Sequence, residues 1–503
     1  MILKNLIILL TSMTMVFSFN VSYKFVFSKL VVDIDGPWKG YTVSIDSTTM
    51  TVGNHFEYPW SRGKVGTMIV KPVESNEEKR IFIDATHDYP PKISIDLSKI
   101  LGFGAYEFEI NLIDDWDTPD RIDVFYRLDS ITSGSGTLVK IDTFFLEDGK
   151  HTLEISAIDS YGNREDEVLD FKVDVTPPDP PKYEFRNPDL VKFDGKPTIE
   201  ILENDFRKVL KDVDFIKREK PLLIRKLDDA KNESEFVVIP PVPGTLSLPS
   251  AKGPIASIRE NLLLMGPQSY TIIGKVLVPE GRSLVLGENS SLVISPTGEL
   301  FVKGMLMNVS KSTRISGGGR IRVSENGEVF FDSVNLESRM IVESGKIVHL
   351  KNMNIKELEV SNVDFLILEK VKLESLKLDH CLTVSIQDST VSRISGKSVR
   401  DLEIWGGNFD IVEVSNFSML TARDSKIGSF IIDTFSRMDC FNCELGSLSV
   451  ALGSFARLRS SKVEKVSIRD FSTLDLFKSA VENLNEGENC EVRSEKSEVS
   501  EIE

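Results

Sequence analysis

ESRMIVESGKIVHLKNMN (residues 337–354) is followed without a gap by IKELEVSNVDFLILEKVK (355–372), LESLKLDHCLTVSIQDST (373–390) and VSRISGKSVRDLEIWGGN (391–408). Four more blocks of 18 begin at Phe409, Ile427, Leu445 and Val463, so eight stand in line and end at Ala480. Read down the blocks, four columns are apolar. Column four includes Met340, Leu358, Leu376, Ile394 and Phe430; column twelve includes Val348, Leu366, Val384, Leu402 and Met438. Columns six and fourteen repeat the pattern two residues further on. Apolar positions two apart mean short strands with alternate side chains facing in, two strands per block. Columns recurring at a fixed period mean that each block stacks on the last and cannot bury its face alone. The stretch predicts a parallel β-solenoid. A helical solenoid would need a 3.6-residue period and longer blocks. A left-handed hexapeptide helix would need aliphatics at columns one, seven and thirteen, but columns seven and thirteen hold Asp379, Lys397, Asp433, Glu403 and Asp475.

Column nine, with Val363, Cys381, Val399, Phe417, Phe435 and Phe471, reads as a further inward position at a corner. Upstream the pattern loosens but persists at Val276/Val278, Leu292/Ile294 and Ile321/Val323. An irregular excursion over residues 307–319 ends in Gly317-Gly318-Gly319. About eleven coils are expected over residues 271–481, a stack roughly 50 Å long. Ile255, Ile258, Leu262 and Met265 recur at helical spacing, so residues 254–270 read as a cap on the first coil, with an irregular strand as the alternative.

The opening GKVLVPEGRSLVLGENSSLVISPTGELFVKG (residues 274–304) resembles the start of bacterial right-handed parallel β-helix domains, in the style of the pectate lyases. Residues 91–178 show the alternation and turn spacing of a β-sandwich. Within them LEDGKHTLEISAIDSYGNREDEVLDFKVDVTPP (146–178) resembles the immunoglobulin-like and fibronectin-like modules of bacterial surface proteins, with Asp159, Gly162 and Asn163 matching their loop. Such a resemblance implies spacing or docking rather than catalysis. Residues 19–90 read as a second small β module, residues 179–253 as a Pro-punctuated linker with a helix within 206–229, and residues 482–503, with eight acids and two bases, as a solvated acidic tail. The fold class is all-β: N-terminal sandwich modules and a C-terminal parallel β-helix.

Residues 1–18 read as a signal peptide: Lys4 is a short positive region, an apolar run starts at Leu6, and Val16 and Ser18 suit cleavage. No other segment is long and apolar enough to span a bilayer. The mature chain is therefore expected in the envelope, the periplasm, on the surface or in the medium of a bacterium. Across 503 residues, 60 Lys and Arg face 77 Asp and Glu, a formal charge of -17. That excess argues against nucleic acid as a partner, because phosphate binding needs clustered cations. A surface glycan, another envelope protein or a second copy of the chain are the partners to expect, with no cofactor.

Four constellations are candidates for chemistry. Cys440-Phe441-Asn442-Cys443 has CxxC spacing, but Cys440 falls in inward column fourteen, so buried small side chains are the simpler reading. The acidic loop Asp114, Asp115, Asp117 and Asp120 offers clustered oxygens for calcium, without EF-hand order. Column fifteen, with Trp405, Arg423, Phe441, Arg459 and Phe477, alternates outward and forms a stripe of rings and guanidinium groups for binding. Glu403, Asp439 and Asp475 share column thirteen at a separation two carboxylates could use, yet the coils have no insertion to wall a cleft. They read as a solvated face, and no catalytic residue is assigned. The expectation is an exported, non-enzymatic envelope scaffold or adhesin, the alternative being a polysaccharide-binding or polysaccharide-degrading β-helix protein centred on the 307–319 excursion.

Overall fold

The computed structural model describes residues 19–130, 132–187, 189–203, 206–242, 244–248 and 253–502. The signal-peptide reading of residues 1–18 lies outside them. The chain divides into two units, residues 1–175 and 176–503.

The first unit holds two sandwiches. In the first, Asn20–Val26, Lys29–Asp35 and His55–Pro59 form one antiparallel sheet. Thr48–Val52, Tyr41–Ile45, Val65–Pro72 and Lys79–Asp84 form the other. Alternate residues such as Leu30, Val32, Val43, Ile45, Met68 and Val70 fill the space between them. In the second, a three-stranded sheet centred on Ala105–Ile113 faces a five-stranded sheet built on the long hairpin Gly149–Ile158 and Arg164–Val173. This is the sandwich expected over residues 91–178.

In the second unit, residues 183–239 are a third small sandwich, not a linker. Tyr183–Asn187, Leu190–Phe193 and Phe215–Lys217 form one sheet; Phe206–Leu210, Thr198–Glu203, Leu222–Leu227 and Val237–Ile239 form the other. No helix occurs among the described residues of 206–229. The period-two alternation Val191/Phe193 and Ile199/Ile201 outweighs the prolines, which fall outside or at the margins of these strands.

The solenoid has about 14 turns rather than eleven. Two sheets of thirteen parallel strands run its length, and a third of five strands, from Gly253–Pro254 to Asn335–Leu336, lines only the early turns. The registers explain the loosened early pattern. Leu262 pairs with Leu284, Leu284 with Leu306 and Leu306 with Val329, offsets of 22 to 23 residues that accommodate a third strand. From Met340 the offset settles at 18: Met340 faces Leu358, then Leu376, Ile394 and Val412. The 307–319 excursion is therefore part of an ordinary three-strand turn, carrying Met305–Asn308 and Arg314–Ser316. The expected cap helix is absent: Gly253–Pro254 and Leu262–Leu264 pair in parallel with the next turn. Residues 482–502 are not a solvated tail. Ala480–Glu486, Glu491–Glu495 and Glu498–Ile502 continue both long sheets. Val481 and Leu484 keep the inward columns buried while the acids take the alternate positions.

Each turn has a corner at column sixteen in the left-handed backbone region, held by Asn352, Lys370, Asp388, Gly406, Asp424 or Asn442 in successive coils (φ 47 to 67). The next position points in and is a buried serine in several coils. There the backbone N–H of one coil donates to the serine Oγ of the next: Val371 to Ser389, Cys443 to Ser461 and Ser461 to Ser479, at 3.0–3.2 Å. These bonds satisfy corner amides that no strand partner reaches.

Candidate functional site

Column fifteen does not form an open stripe. Arg423 lies 3.9 Å from the Phe441 ring centroid and 5.5 Å from that of Trp405, and Arg459 lies 5.1 Å from Phe477. The rings are faced by cations from adjacent coils, and Phe441 and Phe477 are buried. Burial pulls the Arg423 guanidinium down to about 10, against the attraction of Glu403, Asp424 and Asp439. The stripe expected to bind a partner is a structural cation–π ladder. Column thirteen is no solvated face either: Asp439 is buried against Arg457 at 2.6 Å, and Asp475 is buried. Glu403 packs beneath the third sandwich, 3.5 Å from Arg225. Alternation distinguishes outward from inward; it cannot distinguish an outward face left in water from one that is covered.

The covering has a signature that sequence reasoning missed. Val285, Met307, Phe330, Phe365 and Ile367 point out of the first long sheet and pack against Leu223, Phe236 and Val238 of the third sandwich. Apolar residues on both faces of a strand mark a strand covered on both sides. Cys440 and Cys443 are both buried, one in the core column and one in the serine column. Burial and the neighbouring Cys443 push the Cys440 thiol well above its usual range, which disfavours the thiolate that redox or metal chemistry at Cys440 would need.

Column nine divides at residue 416. Val363, Cys381 and Val399 face in, each after a single left-handed residue (Asn362, His380, Ser398). In the next four coils two left-handed residues stand together: Asn416-Phe417, Thr434-Phe435, Leu452-Gly453 and Asp470-Phe471. The extra residue rotates the phenylalanines outward, and Ser418, Ser436, Ser454 and Ser472 take the buried place. Phe417, Phe435 and Phe471 are 72%, 61% and 75% exposed. The rings of Phe417 and Phe435 stack at 5.6 Å and 12°. Where the ladder would continue, Gly453 leaves the Phe435 ring its space: a Cβ there would come within 2.7 Å of Phe435 Cε1.

In the first unit, the acidic loop divides. Asp117 Oδ2 accepts from Ser160 N and Oγ at 2.9 and 2.6 Å, and Asp120 is exposed in a short 3-10 turn. Asp114 and Asp115 instead meet Asp88, from the segment joining the two sandwiches, with one oxygen of each within 4.8 Å of the others. Asp88 was not singled out in the sequence, since it stands alone there, 26 residues upstream of the loop. Trp116, between these acids, inserts into the core of the first sandwich, its ring 4.8 Å from Phe25. The amides of Phe27 and Ser28 donate to the carbonyls of Asp114 and Asp115 at 2.8 Å. Burial is the main cause that raises the carboxyls of Asp88 and Asp114 and lifts that of Asp115 to about 6.

The architecture is that of a modular all-β chain ending in a parallel β-solenoid. No protein-family model matches it, and no curated protein matches its sequence. Among solved structures, a bacterial ice-binding adhesin studied for host cell surface retention is 10% identical, with 44% of this chain and 95% of that one covered at a TM-score of 0.18. A calcium-stabilised adhesin with which an Antarctic bacterium binds ice is 10% identical, with 43% and 72% covered at 0.19. Three N-terminal domains of the bacteriophage RB49 outer capsid protein Hoc are 8% identical, with 44% and 95% covered at 0.18. Likenesses this slight carry no argument about this chain.

Proposed function

We propose that this is an exported, non-enzymatic envelope or surface protein of a bacterium. Its sandwich modules act as spacers, and its solenoid is a rigid rod that presents the phenyl ladder Phe417, Phe435 and Phe471 to a surface glycan. The ladder carries the reading. Bulky residues seldom adopt positive φ, at a cost of about 1–2 kcal/mol each. Here three do so at one corner in four coils, each leaving a ring in water. Strain repeated at one place and opposed to burial is the mark of a selected surface. A flat ring beside a polar neighbour (Asn416, Thr434, Asp470) suits a sugar, whose apolar face stacks while its hydroxyls hydrogen-bond.

The test is a glycan array and pull-down on envelope polysaccharides with the wild type and with Phe417→Asn/Phe435→Asn/Phe471→Asn. Asparagine tolerates left-handed backbone, so the triple variant keeps its fold. At least a tenfold loss of binding is expected with an unchanged or raised Tm. Unchanged binding would remove the ladder from the function, and release of reducing or unsaturated sugar by the wild type would favour an enzyme.

A further inference from the structure

We propose that Asp88, Asp114 and Asp115 bind a calcium ion at the seam between the two N-terminal sandwiches, and that the ion locks that seam. The site is built rather than merely acidic. Asp114 is 3% exposed, and its Oδ2 has no hydrogen-bond partner. Asp88 Oδ1 and Asp115 Oδ1 are likewise buried without a partner. The opposite oxygens are anchored. Asp114 Oδ1 accepts from the amides of Trp116 and Asp117, both at 2.7 Å. Asp88 Oδ2 accepts from Asn163 at 2.7 Å and pairs with Arg62 at 2.8 Å. Each of these two side chains is thus oriented by one oxygen and left unsatisfied at the other. Buried acceptors without donors are costly, and a cation satisfies several at once.

The spacing fits the ion. Calcium–oxygen bonds are about 2.3–2.6 Å, so oxygens on opposite sides of one ion lie up to about 5 Å apart. One carboxylate oxygen from each of Asp88, Asp114 and Asp115 already lies within 4.8 Å of the other two. All three ligands are carboxylates, which selects a hard cation over zinc or copper. Calcium accepts an irregular oxygen set completed by water; magnesium demands a near-ideal octahedron. The charge is also in deficit. Asp117 and Asp159 are buried nearby, and Arg62 is the cation paired with the cluster among the described residues. A cleft lined by Phe25, Tyr89, Ile113, Lys24 and Lys92 reaches Asp114 and Asp115, so an ion can enter.

The consequence follows from where the ligands come from. Asp88 belongs to the segment after Lys79–Asp84, and Asp114 and Asp115 follow Ala105–Ile113 of the second sandwich. One ion therefore ties a ligand on each side of the seam that Trp116 fills. Without it, the carboxylates repel across the same seam.

The experiment uses the full chain stripped with EGTA. Terbium, a calcium-sized lanthanide, is titrated under tryptophan excitation, Trp116 being the indole next to the ligands in sequence. Saturable sensitised luminescence, displaced by calcium, is expected. Calcium at 100 times its Kd should lower the unfolding equilibrium constant of the first unit about 100-fold, read as a shift of its thermal transition. Asp88→Asn and Asp115→Asn should abolish the luminescence and the shift, whereas Asp120→Asn should leave both unchanged. Asp114 also holds its own turn, so replacing it would disturb the fold as well as the ion. Binding retained by the Asp88→Asn/Asp115→Asn double variant, or no calcium binding by calorimetry at millimolar ion, would overturn the proposal. An equal shift with magnesium would overturn the choice of ion. None of these outcomes depends on glycan binding.

Discussion

Arg225 is the most informative residue to replace. It lies on Leu222–Leu227 of the third sandwich, with 1% of its side chain exposed. Its Nε donates to Glu200 at 2.7 Å, and its Nη1 pairs with Glu233 and stands 3.5 Å from Glu403 of the solenoid strand Asp401–Trp405. Arg207 reaches Glu233 at 3.2 Å and Glu200 at 4.0 Å. Two cations thus hold two largely buried acids, Glu200 and Glu403, and the half-buried Glu233 where sandwich meets coil. Arg225→Met keeps most of the volume and removes the charge. Breaking a buried pair from one side costs about 3–5 kcal/mol, because the remaining charge is stranded in low dielectric. The sign with pH follows. Burial already raises the carboxyls of Glu233 and Glu403 while Arg225 opposes the rise. Without Arg225 their folded pKa values climb further above the unfolded value of about 4.3, so the penalty is small below that pH and grows as pH rises. Urea unfolding followed by the fluorescence of Trp405, whose Nε1 donates to Glu403 at 3.2 Å, reads the site in a background where Trp38, Trp60 and Trp116 are replaced by Phe. The variant should lose about 3–5 kcal/mol at pH 7 and recover most of it near pH 4.5. A loss under about 1 kcal/mol, or one that does not change between pH 4.5 and 8, would refute the reasoning.

Glu235 gives the same physics in the wild type. Burial and the charges of Asp388 and Glu369 raise its carboxyl to about 7, so its contribution to stability is intact below about pH 4.5 and lost as pH rises toward 7, by about 1–2 kcal/mol once solvent screening of this half-buried group is allowed for. Glu235→Gln should flatten that segment of the stability–pH curve; a curve unchanged from wild type would place the group in solvent. Ser436→Ala removes the Oγ that accepts from the amide of Ser418 at 3.2 Å and strands that buried N–H. A cost of about 1–3 kcal/mol is expected in chemical denaturation, and a neutral result would show that water replaces the bond.

The core of the solenoid was legible because its sequence period and its backbone register are the same number. Leu358, Leu376 and Ile394 stack since strands at 18-residue offset pair residue for residue. Legibility failed where that identity lapsed. The early turns carry a third strand and longer offsets, which disguised Arg314–Ser316 as an excursion. At Asn416 the corner gained a left-handed residue, so column nine kept its aromatic character and reversed its direction. The site in the first unit was half legible. Asp114 and Asp115 announced themselves as a run, but Asp88 is brought to them only by the packing of two modules around Trp116.

The reversal at Asn416 also bears on function. Val399 occupies the inward corner with no exposed surface, and Ser418, Ser436, Ser454 and Ser472 occupy it in the coils that follow. Exchanging a buried valine for a serine forgoes about 1.5–3 kcal/mol of apolar burial per coil. The Oγ ladder from Ser418 through Ser436 and Ser454 to Ser472 recovers part of this by satisfying the corner amides. Stability alone would favour the reverse arrangement, an apolar residue inside and a polar residue at the left-handed turn, which the three preceding coils display with Val363, Cys381 and Val399. A corner that surrenders buried apolar area, strains its backbone and exposes a phenyl ring, in three of four coils, departs from the rest of the rod in one direction only. Random drift would scatter such departures around the turn. Their alignment along one edge, with Phe417 and Phe435 stacked ring on ring, places the selective pressure outside the core, on whatever that edge meets.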